Sequence, residues 1–240
     1  MKCLLNKVIN RSTNQQKNKL TDNRSIATKL KTQKMQKVTY ITYFLMILTT
    51  ACFAQKVTQQ TIAIHEIEEI RINTDKIFQL NIFNTNDNVV KIETKMEGEY
   101  YRDINVTTAT KNKQLRLSCE FAEGFELPND KLSAHKVFSI TMNLYLPKKL
   151  KVQLEGDETQ VYVKGNYKKF WSVLISGNYI LDDFFAEAKI QSKKGNIHYT
   201  KKKLPVFETK TTKEIIFYEN GKKVELKASN GKITYSSDKG

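Results

Sequence analysis

Beyond residue 55, apolar and polar side chains alternate along the chain with a period of two. Residues 140–146, which read ITMNLYL, show the alternation clearly. This period predicts strands that bury one face, and turn-forming clusters at residues 73–75 and 128–130 separate the runs. No window long enough for a helix carries the periodicity of an amphipathic one. The pattern therefore predicts an all-β protein.

A second, longer period begins after Pro147. An 18-residue interval separates Gly177 from Gly195, and Gly231 follows at twice that interval. The same step also reaches Thr159 and Lys213, and each of the five places is followed by apolar residues two and four positions later. A short fixed period of this kind is typical of a β-solenoid, whose stacked coils bury a continuous core. The predicted inward residues are Val161, Val163, Tyr179, Leu181, Ile197, Tyr199, Ile215, Phe217, Ile233 and Tyr235.

The turn residues of this repeat suit sharp corners, with one departure. Gly-Asp and Gly-Asn pairs supply the required backbone freedom, but Lys213 stands where the repeat wants glycine. A meander of hairpins with coincidental spacing would show a similar pattern over one or two units. We expect an N-terminal antiparallel β module over residues 55–148, followed over residues 149–240 by a β-solenoid of about five coils with an 18-residue coil.

The segment before residue 55 has the pattern of an export signal. Residues 38–54 are uncharged and largely apolar, follow Lys37 and end in small side chains. A basic start, an apolar centre and a small residue at the end describe a secretory signal peptide. We therefore predict a signal peptide over residues 35–54, cut between Ala54 and Gln55.

The position of this signal is unusual, because polar residues without apolar periodicity precede it. We predict that residues 1–34 are a disordered leader upstream of the true start at Met35. Two alternatives for the apolar segment stay open at this point. One is an uncleaved membrane anchor with a basic tail, and the other is lipidation of Cys52.

The formal net charge of +15 is concentrated at the N-terminus. Residues 1–37 contain ten lysines and arginines against one acid, whereas residues 55–240 contain 30 basic and 24 acidic residues. A mildly basic body with interspersed charges is an ordinary solvated surface, and no recognition motif accompanies it. We therefore expect no nucleic-acid partner.

The sequence carries no recognisable catalytic or metal-binding motif. His65, His135 and His198 are far apart in sequence and lack ligands at metal-binding spacing. An acid–base pair is disfavoured because the candidate carboxylates fall at different corners of the repeat. Those carboxylates are Asp157, Glu158, Asp182 and Asp183. Cys119 follows two leucines on one strand face, which predicts a buried, unreactive thiol. We expect no enzyme activity, cofactor or metal.

One row of side chains is a candidate binding surface. The position between the two inward residues of each unit points outward, and it is unusually apolar for a solvated face. These residues form the predicted stripe: Tyr162, Ile180, His198, Ile216 and Thr234. The stripe is either a docking surface for a partner or glycan, or a face covered by another segment such as residues 55–148.

Residues 138–156 read FSITMNLYLPKKLKVQLEG and are followed by the units SGNYIL, KKGNIHY and SNGKITY. These segments resemble the adhesin domains of Gram-negative envelope proteins, including the auto-transporter adhesin head (GIN) type. The resemblance covers residues 138–240 well and the preceding strands only in general texture. It implies a β-solenoid fold and an envelope location, and it brings no catalytic residue or ligand.

These observations predict an exported, non-enzymatic envelope or cell-surface protein of adhesin type, located in the periplasm, on the outer membrane surface or outside the cell. The expected partner is an envelope protein or polysaccharide. Membrane contact is expected only through the leader segment, if it is uncleaved or lipidated at Cys52. The alternatives are a β-solenoid lyase or hydrolase acting on carbohydrate, and a membrane-anchored structural accessory protein.

Overall fold

The computed structural model describes residues 39–40, 42–43, 55–125, 138–201 and 211–237. The chain divides into two compact units, Met1–Phe53 and Ala54–Gly240, and the strands belong to the second. The predicted leader, the cleavage site at Ala54 and the lipidation site at Cys52 lie outside the described residues and stay predictions. Within the described part of the chain, no helix has the length and apolarity needed to cross a membrane.

The second unit is all-β, which confirms the prediction from the alternation. Its described residues form a single curled, open sheet of 15 strands, together with a short 3-10 helix at Tyr101–Asp103. The strands are β1 (Gln55–Ala63), β2 (Glu69–Asn73), β3 (Gln79–Thr85), β4 (Val89–Gly98), β5 (Ile104–Lys111), β6 (Gln114–Phe121), β7 (Phe138–Pro147), β8 (Lys151–Gly156), β9 (Gln160–Leu174), β10 (Asn178–Ser192), β11 (Ile197–Lys201), β12 (Thr211–Thr212), β13 (Glu214–Glu219), β14 (Lys222–Ala228) and β15 (Ile233–Ser237).

The centre of the sheet consists of stacked layers, which we call rungs. Each rung consists of two strand segments joined by a tight corner, and the long strands β9 and β10 each contribute one half to each of two neighbouring rungs. β8 leads into the first half of β9, the second half of β9 into the first half of β10, and the second half of β10 into β11. Successive rungs pair in parallel at an 18-residue offset, so that Val152 lies opposite Phe170 and Val161 opposite Tyr179. This offset places inward side chains of one rung directly above inward side chains of the next, and outward above outward.

The corners of successive rungs stack as closely as their backbone atoms permit. A Cβ atom built on Gly195 would overlap the carbonyl oxygen of Gly177, and one built on Gly231 would overlap that of Gly195. The Asn196 backbone N–H donates to Asn178 Oδ1 at 2.7 Å along the same corner. Glycine is required here because any side chain would force the rungs apart.

Strands from before residue 148 extend the same stack. β2 pairs in parallel with β8 and β3 with the first half of β9, so β2 and β3 form an earlier rung. β6 and β7 pair in parallel with β2 and β3 on their other side. The expected antiparallel arrangement is therefore wrong for these contacts, although β1–β4, β4–β7 and β5–β6 are antiparallel. The sheet is therefore not divided at residue 148, because β8 and β9 pair directly with β2 and β3.

The inward side chains of the rungs form one continuous core. Leu80, Val161, Tyr179, Ile197 and Ile233 follow one another across adjacent strands, and each is at most 2% exposed. The next inward positions form a second column. That column contains Ile82, Val163, Leu181 and Tyr199, all buried, and Tyr235, which is partly buried. The stacked rungs therefore share one apolar interior, in which aromatic and aliphatic side chains lie next to each other.

The 18-residue period fails after β11. Ile233 lies directly opposite Ile197, so the chain takes twice the usual interval to reach the next stacked position. Ile215 and Phe217, expected in the two columns, lie instead in β13, which runs antiparallel to β14. Both are partly buried against the edge of the core. The expectation of five equal coils is corrected here.

Lys213 gives the physical reason for this departure. The corner above Gly195 leaves no room for a Cβ atom, and Gly231 occupies it. Lys213 could not take that place, because it carries a Cβ atom. The described residues next to it instead form β12 beside β15 and β13 beside β14, both antiparallel. The backbone edges of the last rung are therefore partly covered by these two strands.

Replacing Gly195 by alanine tests the corner stack. We expect Gly195→Ala to lower the free energy of unfolding by about 3 kcal/mol, because a Cβ atom there overlaps backbone rather than a flexible side chain. Gly221→Ala is the matched control: its Cβ would meet no atom, and only its positive φ of 78° opposes the change, at about 1 kcal/mol. Urea unfolding measures both. Equal losses for the two variants would contradict the account of the corner.

Buried tyrosines make the fold sensitive to alkali. Burial raises the pKa of the Tyr167, Tyr179 and Tyr199 hydroxyls above the ordinary value for tyrosine. Unfolded tyrosines ionise near pH 10 whereas these stay protonated in the fold, so their contribution is complete below about pH 10 and declines as the pH rises further. We expect the free energy of unfolding to fall steadily as the pH rises above about 10.

Two variants isolate the tyrosine contribution from that of lysines, which titrate in the same range. Tyr199→Phe should make the decline shallower, because it removes one buried hydroxyl. Tyr218→Phe, at a residue 73% exposed, should leave the slope unchanged. Identical slopes in both variants would show that the buried tyrosines do not cause the decline.

Candidate functional site

The outward side chains of the stacked strands form a continuous row. Tyr162, Ile180, His198 and Thr234 lie opposite one another in adjacent parallel strands. Four members of the predicted stripe are therefore neighbours. We call the extended set, which adds two residues from earlier strands, the outer row: Asn143, Asn81, Tyr162, Ile180, His198 and Thr234.

Ile216, the fifth member of the predicted stripe, lies on a different surface. It faces Glu225 across the β13–β14 pair, and Glu225 lies opposite Lys189 of β10. Lys189 in turn lies opposite Trp171 in β9. Ile216 therefore shares a face with Trp171, at the other side of the corner from Ile180. The prediction that Ile216 belongs to the stripe is wrong, because it assumed that β13 stacks in parallel on the preceding rung, whereas β13 pairs antiparallel with β14.

Hydrogen bonds fix several polar members of the outer row. Asn81 Nδ2 donates to Asn143 Oδ1 at 2.8 Å. The Tyr162 hydroxyl donates to Asp182 Oδ2 at 2.7 Å, and burial together with this bond raises the pKa of Tyr162, so the phenol stays neutral at physiological pH. His198 Nδ1 lies 2.7 Å from the Thr234 hydroxyl oxygen.

Ile180 is the apolar centre of the outer row. It lies between Tyr162 and His198 and keeps 47% of its surface exposed. Residues 55–148 were one expected cover for this face. In the described residues, the strand that carries Asn81 lies beside Tyr162, and the strand that carries Asn143 lies beside Asn81, so both continue the row.

Sequence reasoning missed an aromatic cluster beside the outer row. The Phe83 ring stacks on Tyr145 with centroids 5.5 Å apart and lies 5.7 Å from Tyr162. Lys91 Nζ lies 5.3 Å from the Tyr145 ring centroid. The alternation marks Phe83 and Tyr145 as outward once their strands are recognised. Their meeting with Tyr162 depends on the parallel pairing of β3 with β7 and β9, which no local pattern announces.

The charged groups around this cluster are paired with each other. Lys164 Nζ lies 2.7 Å from Asp182 Oδ2, and Lys91 Nζ lies 2.7 Å from Glu93 Oε1. A hydrogen bond from Lys91 is the main reason that the pKa of Glu93 is lowered. The face around the aromatic rings therefore carries ionised groups of both signs without a net local charge.

The remaining candidate chemistry is dispersed. Among the described residues, no three His, Cys, Asp or Glu side chains come together in a group that could hold a metal. Asp182 is held by Tyr162 and Lys164, while Asp157 lies at the far side of a corner, next to the end of β8. His135 lies outside the described residues. Cys119 is free and buried, and burial raises the pKa of its thiol to about 12, so it is not a reactive nucleophile at neutral pH.

Comparisons with known proteins bear on the fold. No family model matches the sequence, and no curated protein matches it. A crystal structure called a "putative cell adhesion protein", from Clostridium sporogenes, is similar with a TM-score of 0.52 at 15% identity, covering 77% of this chain and 100% of that one.

Two further solved structures are similar at lower scores. A "putative adhesin" from Parabacteroides distasonis has a TM-score of 0.29 at 18% identity, covering 60% of this chain and 69% of that one. A "putative adhesin" from Bacteroides fragilis has a TM-score of 0.34 at 11% identity, covering 61% and 81%. The Clostridium likeness shows a shared fold, and identities at this level show nothing beyond fold.

Proposed function

We propose that this protein is an exported, non-enzymatic envelope or cell-surface protein of adhesin type, and that its outer row binds a glycan. The observation that carries the proposal is the outer row itself. Side chains from six successive strands present an exposed apolar centre at Ile180, fixed amides at Asn81 and Asn143, and an adjoining cluster of three aromatic rings.

The chemistry of this face suits a sugar surface. Sugars offer hydroxyl groups to amides and carboxylates, and apolar C–H faces to aromatic and aliphatic side chains. The outer row places both kinds of group on one face of the sheet. Its nearby charges are already paired, which favours a neutral glycan over a strongly charged one.

The frame that presents the row is, in this proposal, a β-solenoid with an 18-residue coil running from Lys151 to Lys201. The parallel registers of β8, β9, β10 and β11 support this interpretation. Such a frame holds a binding face without large loop rearrangements, because each side chain is placed by hydrogen-bonded neighbours on both sides.

Export and surface location are part of the proposal. The apolar segment before Ala54 supports export, with residence in the periplasm, on the outer membrane surface or outside the cell. The fold shared with a solved structure called a "putative cell adhesion protein" supports the adhesin type. We include the auto-transporter adhesin head (GIN) resemblance of residues 138–240 in the same proposal.

A pair of isoleucine variants tests the binding face. The unmodified unit Ala54–Gly240 is first screened on a glycan array. Ile180→Lys should then lose binding to every glycan that the unmodified unit binds, because the lysine removes the apolar contact at the centre of the row. Ile216→Lys is the matched control, since Ile216 is similarly exposed (51% against 47%) but lies on the Trp171 face. Loss of binding in both variants, or in neither, would contradict the assignment to the outer row.

A further inference from the structure

The Trp171 face carries an exposed apolar strip on a central strand. Trp171, Val173 and Ile175 follow at every second position of β9 and the corner after it, and are 45%, 42% and 43% exposed. The two residues between them, Ser172 and Leu174, are buried. We call these three outward residues the β9 strip. Consecutive apolar side chains of this size on a solvated strand face indicate a contact surface.

The two borders of the β9 strip carry opposite charges. On the β8 side, Glu155 lies opposite Val173, and Asp157 continues the chain at the level of Ile175, where its carbonyl accepts the Ser176 N–H. On the other side, Lys193 follows β10 at that same level, and its N–H donates to the Leu174 carbonyl.

These border charges are available to a partner. Glu155, Asp157 and Lys193 are exposed. Their side chains form no ion pair with any other described residue. An acidic border, an apolar centre and a basic border therefore run side by side across three successive rungs.

We infer that the β9 strip is the contact surface of a symmetric homodimer. A half-turn of a second copy about an axis parallel to β9 lays strip upon strip and exchanges the two borders. The acidic border of each copy then faces the basic border of the other. The dimer therefore contains two symmetry-related contacts between Asp157 of one copy and Lys193 of the other. A surface that complements itself under a two-fold rotation is the requirement for an isologous interface.

Charge complementarity favours a second copy of this chain over other partners for the β9 strip. An anionic membrane or polysaccharide would require a border that is basic on both sides, and the Glu155–Asp157 border would repel it. The dimer leaves the outer row uncovered, because that row lies on the other side of the corner. Two copies would then present two binding faces, which raises avidity for a multivalent surface.

Charge reversal and charge exchange test the dimer. Sedimentation equilibrium of the unit Ala54–Gly240 should show a monomer–dimer equilibrium. Asp157→Lys and Lys193→Asp should each weaken dimerisation about tenfold or more, because each creates two like-charge contacts. The double variant restores opposite charges and should recover most of the lost affinity. Lys148→Asp, in an exposed turn away from the strip, should change nothing.

Trp171 supplies a second readout, because it is the only tryptophan in the chain. Its emission should shift to shorter wavelength as the concentration of the protein rises, and Trp171→Ser should remain monomeric. A monomer at all accessible concentrations would overturn the inference, as would a dimer that Asp157→Lys and Lys193→Asp leave intact. Ile180→Lys should dimerise normally, so failure of the dimer and failure of the proposed glycan binding are observed separately.

Discussion

The close stacking of backbone at Gly177, Gly195 and Gly231 is the constraint on which the rest of the structure depends. These corners leave no space for a Cβ atom between one rung and the next. Because the rungs meet there without a spacer, the strands on both sides of Gly177 and Gly195 pair in parallel at an 18-residue offset, and those on both sides of Gly231 at twice that offset. The buried columns through Tyr179 and Leu181 follow from this offset.

The same constraint creates the two outer faces. Once a rung is fixed at its corner, every second side chain points outward, and equivalent positions of successive rungs become neighbours. On one side of the corner this gives the outer row with Ile180 at its centre. On the other side it gives the β9 strip with Trp171. Both faces arise from the rung built of β9 and β10, so a single layer carries the exposed apolar centre of each.

Much of this arrangement could be predicted from the sequence. The spacing of Gly177 and Gly195 and the apolar residues after them indicate the offset that the strand registers have, and the outward place of Ile180 follows by alternation. The β9 strip could have been found in the same way, because Phe170 and Leu174 alternate with its members.

Two other features of the structure could not be predicted from the sequence. Alternation in β13 resembles that of a stacked strand, yet Ile215 and Ile216 belong to an antiparallel pair, because Lys213 cannot occupy the corner position above Gly195. The cluster of Phe83, Tyr145 and Tyr162 requires β7 and β3 to stack beside β9, out of chain order. Long-range parallel pairing of this kind leaves no local signature, since each strand shows only its own alternation.

Disulfide cross-linking between outward positions tests the stacked register most directly. In the unit Ala54–Gly240 with Cys119→Ala, which removes its one native cysteine, His198→Cys combined with Thr234→Cys places two cysteines at opposed positions of adjacent parallel strands, about 4.8 Å apart and within disulfide reach. Rapid, complete cross-linking of this pair is expected under mild oxidation, and no cross-linking is expected for His198→Cys with Ile216→Cys. Cross-linking of the second pair in place of the first would contradict the stacked register.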